Sequence, residues 1–311
     1  MSNPNNSIRI TPPLLKSGDK VAVVAPAKKL GTEELDAAVS VLRSWGLQVA
    51  LGPNINSNDH SYLSAADQKR LNDLQEAIDD PAIRAIFCAR GGYGCTRIID
   101  ELDFTSLRES PKWLVGFSDI TALLTAACNS GVMCIHGTMP VQFGKENWKP
   151  STEQLRNVLF KGMSELSAAP NAWNRYGVGS GALVGGNLSI LADSIGTISE
   201  AITKGCILLL EEIDEDLYRL DRMLTHLNRT GKFDALAGLA IGHMSDLRDT
   251  SNFQQRFEEM LLDKLQKHSY PVGWGLPFGH ENPNFAWVVG QNATLRVDEN
   301  GTSLSPAGTG V

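Results

Sequence analysis

Ser118 stands where a short apolar run, residues 113–117 (WLVGF), gives way to a helical pattern. The apolar residues that follow fall at Ile120, Leu123, Leu124 and Ala127, the i, i+3, i+4, i+7 spacing of one helix face. Asn129-Ser130-Gly131 then supplies a stop. A serine between a strand and a helix N-terminus projects its hydroxyl out of the turn. Free N–H groups and the positive end of the helix dipole lie beside it, placed to receive an oxyanion. This is the logic of the nucleophile elbow, G-x-S-x-G, in which Gly116 matches and Ile120 replaces the last glycine. Ser and Asp are also favoured N-caps, and on this segment alone capping is the commoner role.

A nucleophilic serine needs a base within hydrogen-bond reach, usually a histidine oriented by a carboxylate. His60 and His268 sit in polar surroundings, and His226 falls near the end of an amphipathic helix. His136 and His243 each end an apolar strand. His280 lies in a loop dense in Gly, Pro and Asn (LPFGHENPN) and ranks first, because loops on rigid scaffolds carry catalytic residues. His136 ranks second. Glu211 and Glu212 follow the strongly apolar run 207–210. A carboxylate at a buried strand's end is costly unless paired, which suits an orienting acid. The order Ser, Glu, His also occurs in α/β hydrolases.

The elements that would position these residues alternate. Strands are expected at 20–25, 47–51, 82–89, 113–117 and 132–136, with amphipathic helices at 33–45 and 65–78. Such alternation predicts a parallel α/β sheet covered on both faces. Sites in these sheets form beyond the C-terminal strand ends, where Ser118 and the loop Arg90-Gly91-Gly92-Tyr93-Gly94 would both lie. The small, polar, Gly-rich run 166–181 reads as a linker between an N-terminal domain, 1–165, and a second domain, 182–311. In the second half the pattern predicts a helix opening at Asn187, strands at 206–210, 236–241 and 293–297, and helices at 216–228 and 253–267.

The composition narrows the function classes. Hydrophobic residues make up 42% and charged residues 20%, enough apolar surface for a sizeable core. A net charge of −7 without a basic stripe disfavours binding to a nucleic-acid backbone. No apolar run is long enough for a membrane span, and the polar start MSNPNNSIRITPP lacks the pattern of a secretory signal, so the expected location is the cytoplasm. Five cysteines without C-x-x-C spacing predict buried reduced thiols and no zinc site. The Gly91–Gly94 loop has anion-binding potential, but it completes neither G-x-G-x-x-G nor a Walker A sequence. A nucleotide- or peptide-binding protein without catalysis is therefore the weaker reading.

Taken together, LKSGDKVAVVAPA, RGGYGCTRIIDELD, PKWLVGFSDITALL and IHGTMP resemble the LD-carboxypeptidase family of serine peptidases. In the second half GALVGGNLSIL, LLLEEIDEDLYRLDRMLTHL and GLPFGHENPNFAWVVGQNATL extend the likeness over nearly the whole chain. The resemblance implies a flavodoxin-like or class I amidotransferase-like N-terminal domain and a smaller, swivelling-type C-terminal α/β domain. It places the catalytic residues at Ser118, at the first acid after the apolar strand, Glu211, and at His280, in a cleft between the domains. Backbone N–H groups of Asp119 and of Gly91 or Gly92 would receive the oxyanion, and Arg90 would meet the substrate's terminal carboxylate. The implied substrate is a murein tetrapeptide losing its terminal D-alanine, with a microcin C-type aminoacyl-nucleotide amide as the alternative. The implied assembly is a homodimer, and neither metal nor organic cofactor is expected. Thr138 departs from the family, in which proline is commoner at that place.

Overall fold

The structure, a computed structural model, describes residues 9–57, 59–248 and 253–307. The chain divides into two compact units, the first formed by Ile8–Met163 with Asn282–Val289. In order it carries β1 (Lys20–Val24), α1 (Thr32–Ser44), β2 (Gln48–Leu51), α2 (Asp67–Asp79), β3 (Ile83–Cys88) and α3 (Thr105–Glu109). Then come β4 (Trp113–Gly116), α4 (Thr121–Asn129), β5 (Cys134–His136) and α5 (Lys149–Lys161). The five strands pair in parallel in the order β2-β1-β3-β4-β5, the flavodoxin-like winding. The inner strands are apolar and buried along nearly their whole length, as a sheet covered on both faces requires. A strand from far along the chain, Trp287–Val289, pairs antiparallel with β5 and sets Trp287 opposite His136.

Two buried cations tie this unit together. Lys112 Nζ donates to the carbonyls of Ala77 (3.2 Å), Ile78 (2.7 Å) and Asp80 (2.6 Å). These lie at the end of α2, where carbonyls lack partners within the helix and the dipole favours a positive charge. Arg70 on α2 donates to the carbonyl oxygens of Pro26, after β1, and Gly94, after β3. It thereby links two of the loops at the sheet's C-terminal edge.

The second unit comprises Ser164–Glu281 and the chain after Gly290. It carries β6 (Leu166–Ala168), β7 (Gly177–Asn187), α6 (Leu188–Asp193), β8 (Ile207–Ile213), α7 (Leu217–Arg229) and β9 (Gly238–Ser245). After α8 (Phe257–Lys264) and β10 (Val272–Trp274), the Trp287–Val289 strand counts as β11, followed by β12 (Asn292–Asp298) and β13 (Gly301–Pro306). The seven-stranded sheet runs β10-β9-β8-β7-β12-β13-β6, parallel from β10 to β7 and antiparallel beyond. Leu220, Leu224 and Leu227 form the buried stripe of α7, in one cluster with Leu208 and Leu210 of β8.

Three expectations need correction. Residues 166–181 are not a linker: 166–168 form β6, and β7 begins at Gly177 and pairs with β12. The small residues answer to crowding, since a Cβ on Gly179 would lie 1.8 Å from the carbonyl oxygen of Ala237. Nor do residues 182–311 stay in one unit, because Asn282–Val289 belongs to the first, where β11 adds to its sheet. The helix expected at 253–267 is shorter, Phe257–Lys264, and residues 249–252 before it lie outside the described part. Its start is fixed where the Glu259 side chain accepts the Arg256 N–H at 2.9 Å.

Candidate active site

β3 and β4 are neighbours, with Phe87 opposite Val115, so the loops that leave their C-terminal ends meet. The loop after β3 carries Arg90, Gly91 and Gly92, and the turn after β4 carries Ser118. Ser118 has φ +63°, a left-handed conformation that is strained for a residue with a Cβ. A single 3₁₀ turn, Ser118–Ile120, precedes α4, so the entry is sharper than a plain helix start. The N-cap position of that turn is Phe117 and that of α4 is Ile120, so Ser118 occupies neither cap position and is the first residue of the turn itself. Ile120 packs on Gly116, where a Cβ would come within 2.7 Å of its side chain. The elbow has therefore kept its first glycine and filled the place of the second.

Gly91 lies against this turn. A Cβ there would stand 3.1 Å from Ser118 Cβ and 3.4 Å from Asp119 N, so a bare backbone is what fits beside the serine. Gly92 follows with φ +106°. The buried Asp119 carboxylate accepts the N–H of Cys95 at 2.9 Å and holds the end of the glycine loop to the elbow. Arg90 is half-buried, and its charge is among those that hold the Glu34 carboxyl below its ordinary range against the opposing effect of burial.

Glu211 and Glu212 are consecutive on β8 and point to opposite faces, as strand geometry dictates. Glu212 accepts from Asn187 Nδ2 (2.8 Å), from Ser189 N (2.7 Å) and from Ser189 Oγ (2.6 Å). It holds the start of α6. Burial pushes its carboxyl up, against the pull of those hydrogen bonds. Glu211, wholly buried, sets Oε2 2.6 Å from His280 Nδ1. Burial works against the charged imidazole of His280, but the charge and hydrogen bond of Glu211 outweigh it and raise its pKa above 6.5.

The other histidines have local partners. His136 is wholly buried and stacks on Trp287, with ring centroids 5.0 Å apart. His60 Nδ1 accepts the N–H groups of Tyr62 and Leu63. His268 stacks on Tyr270, and His226 lies in the last turn of α7. His243 Nδ1 accepts the N–H of Glu281, and Ser245 Oγ donates to the Glu281 side chain. The two residues stand at i and i+2 on one face of β9. That spacing at a strand end is the sequence signal that could have marked them as a pair.

The structure thus brings Glu211 and His280 together in one unit, and Ser118, Asp119, Gly91 and Gly92 together in the other. All five cysteines are buried free thiols, and burial pushes those of Cys88, Cys95 and Cys134 up, away from the thiolate a nucleophile needs. Among the described residues no group of three or more His, Cys, Asp or Glu could hold a metal ion. No helix there is long and apolar enough to cross a membrane.

A two-unit α/β chain with a strained serine elbow and a buried Glu–His pair has the parts of a serine hydrolase. Comparison with known proteins makes this specific. Residues 21–137 match the LD-carboxypeptidase N-terminal domain and residues 180–295 the LD-carboxypeptidase C-terminal domain, and the chain belongs to that family. It is 33% identical over 287 residues to the murein tetrapeptide carboxypeptidase of Pseudomonas aeruginosa, covering 89% of this chain and 92% of that one. The crystal structure of muramoyltetrapeptide carboxypeptidase from Oxalobacter formigenes matches with a TM-score of 0.83 at 28% identity, over 93% of this chain and 99% of that one. The microcin C7 self-immunity protein, solved in complex with aspartyl sulfamoyl adenosine, shares the fold with a TM-score of 0.83 at 21% identity, over 97% and 99% of the two chains.

Proposed function

We propose that this protein is a serine L,D-carboxypeptidase that removes the terminal D-alanine from murein tetrapeptide in the recycling of cell-wall peptides. The Glu211–His280 contact in one unit and a serine elbow of strained geometry in the other, in a chain of this family, carry the assignment. Ser118 Oγ attacks the carbonyl of the bond to D-alanine while His280 Nε2 takes its proton. Glu211 fixes Nδ1–H as the donor and stabilises the imidazolium. The carbonyl oxygen becomes an oxyanion, received by the backbone N–H of Asp119 and one from Gly91 or Gly92. Collapse breaks the C–N bond, and His280 returns the proton to the leaving amine of D-alanine. Water, deprotonated by His280, then hydrolyses the ester on Ser118 and frees the tripeptide. Arg90 binds the terminal carboxylate that marks the substrate of an exopeptidase.

The five thiols fit the reducing cytoplasm, where murein fragments would be recycled. The acidic charge fits a small muropeptide better than nucleic acid as partner. The family resemblance supports a homodimer as the assembly.

The test is a comparison of kcat/KM on murein tetrapeptide and on an aminoacyl sulfamoyl-adenosine, the substrate class of a microcin-immunity peptidase. The expected preference for tetrapeptide is about 100-fold or more, the size that dedicated contacts to one substrate produce. Faster cleavage of the sulfamoyl compound would replace this function with the immunity reading.

A further inference from the structure

β9 does more than extend the sheet beside Glu211. Three of its residues, Ile241, His243 and Ser245, grip the segment 276–281 that bears His280, the last two on one face beyond the register shift that separates them from Ile241. The Ile241 carbonyl accepts the Leu276 N–H (3.1 Å), and the His243 N–H donates to the Phe278 carbonyl (2.8 Å). His243 Nδ1 accepts the Glu281 N–H (3.2 Å), and Ser245 Oγ donates to Glu281 Oε1 (2.7 Å). Between them Gly279 is packed so closely that a Cβ would stand 3.0 Å from Glu211 Cβ and 3.1 Å from His243 Cβ. His280 therefore sits on a tether fastened on both sides, and the fastening nearest to it is a titratable ring. Accepting a backbone N–H at Nδ1 requires that nitrogen to be bare, which fixes the neutral Nε2–H tautomer.

We infer that His243 is a positioning residue which, as a neutral imidazole, clamps the Glu281 N–H and so holds His280 in line with Glu211. The inference rests on the assignment of His280 and Glu211 as base and orienting acid. A proton on His243 Nδ1 turns the acceptor into a donor facing a donor, and the clamp opens. The charged groups facing this ring are Glu281 and His280 from the loop and Glu211 from β8. Burial keeps the His243 imidazole below 6.5, and His280 adds to this, while Glu281 and Glu211 oppose it. His280 itself lies above 6.5. As pH falls, His280 takes its proton first and His243 second.

Two protonations, one at the base and one at its clamp, give kcat/KM a distinctive acid limb. Log kcat/KM should fall with a slope of one, then steepen to a slope of two at lower pH. His243→Asn sets an amide oxygen near the place of Nδ1 and cannot be protonated there. It should keep the plateau within about 3-fold and lose the steep segment, whereas His243→Ala should lower the plateau about 10-fold, the size of one lost hydrogen bond. Amide exchange of Glu281 supplies a readout independent of turnover. Its protection should fall about 10-fold in His243→Ala and survive in His243→Asn.

A slope of one throughout in the wild type, or a steep segment that persists in His243→Asn, overturns the inference. His280→Ala serves as the control for the underlying assignment. Full activity of that variant would refute the catalytic role of His280, and the Glu281 exchange data would still report whether the clamp exists.

Discussion

Replacing His280 with alanine should lower kcat on murein tetrapeptide by about 10⁴–10⁶-fold, because nucleophile and base act as one unit in such hydrolases. Because the substitution takes a partner from the buried Glu211 carboxylate, circular dichroism and a thermal melt should accompany the kinetics to show that the variant is folded. Substrate binding should change far less than turnover, since proton transfer occurs only on the way to the transition state. A loss of only a few-fold would show that another base serves Ser118. His136 could not easily take that part, because it is wholly buried and stacked on Trp287.

Glu211→Gln should cost about 10³–10⁴-fold in kcat, with most of the geometry kept, since the amide can neither stabilise the imidazolium nor enforce the tautomer as a carboxylate does. The variant should also move the pH profile in a defined direction. Glu211 raises the pKa of His280 by favouring its charged form, while only the neutral form can accept a proton from serine. Wild-type kcat/KM should therefore rise with pH through an apparent value above 6.5. In Glu211→Gln the raising charge is gone and burial remains, so the acid limb should shift to lower pH even as the plateau falls. A limb that stays in place would separate Glu211 from the titrating base. Glu212→Gln offers the contrast: it should loosen the start of α6, which Glu212 holds through Asn187 and Ser189, and shift the acid limb down by less than Glu211→Gln does, because its charge raises His280 less than that of Glu211.

Much of this was legible in the chain because local pattern and tertiary demand agree. The apolar runs that end at Val24, Cys88 and Gly116 are inner strands of a parallel sheet, and their continuous hydrophobicity follows from burial on both faces. Gly116 and Ser118 marked a sharp turn, although the left-handed serine that distinguishes an elbow from a cap is visible only in the backbone. The pairing of Glu211, and not Glu212, with His280 depends on which face of β8 each residue occupies. Alternation shows that the two faces differ, but not which one meets the loop. The Gly-rich segment 166–181 misled because glycine serves close packing as readily as it serves a linker, and the contact that decides, with Ala237, lies far along the chain. The return of Asn282–Val289 to the first unit is likewise a long-range pairing, set by β5 and unannounced by local sequence. The clamp of His243 and Ser245 on Glu281 was hidden for the same reason.

Whether Ser118 is the nucleophile is tested by the release of free D-alanine from murein tetrapeptide by wild type and by Ser118→Ala, followed over time together with the tripeptide product. The wild type should yield equimolar D-alanine and tripeptide, with release slowed by about 10⁴–10⁶-fold in the variant. Undiminished release by Ser118→Ala would refute Ser118 as the nucleophile.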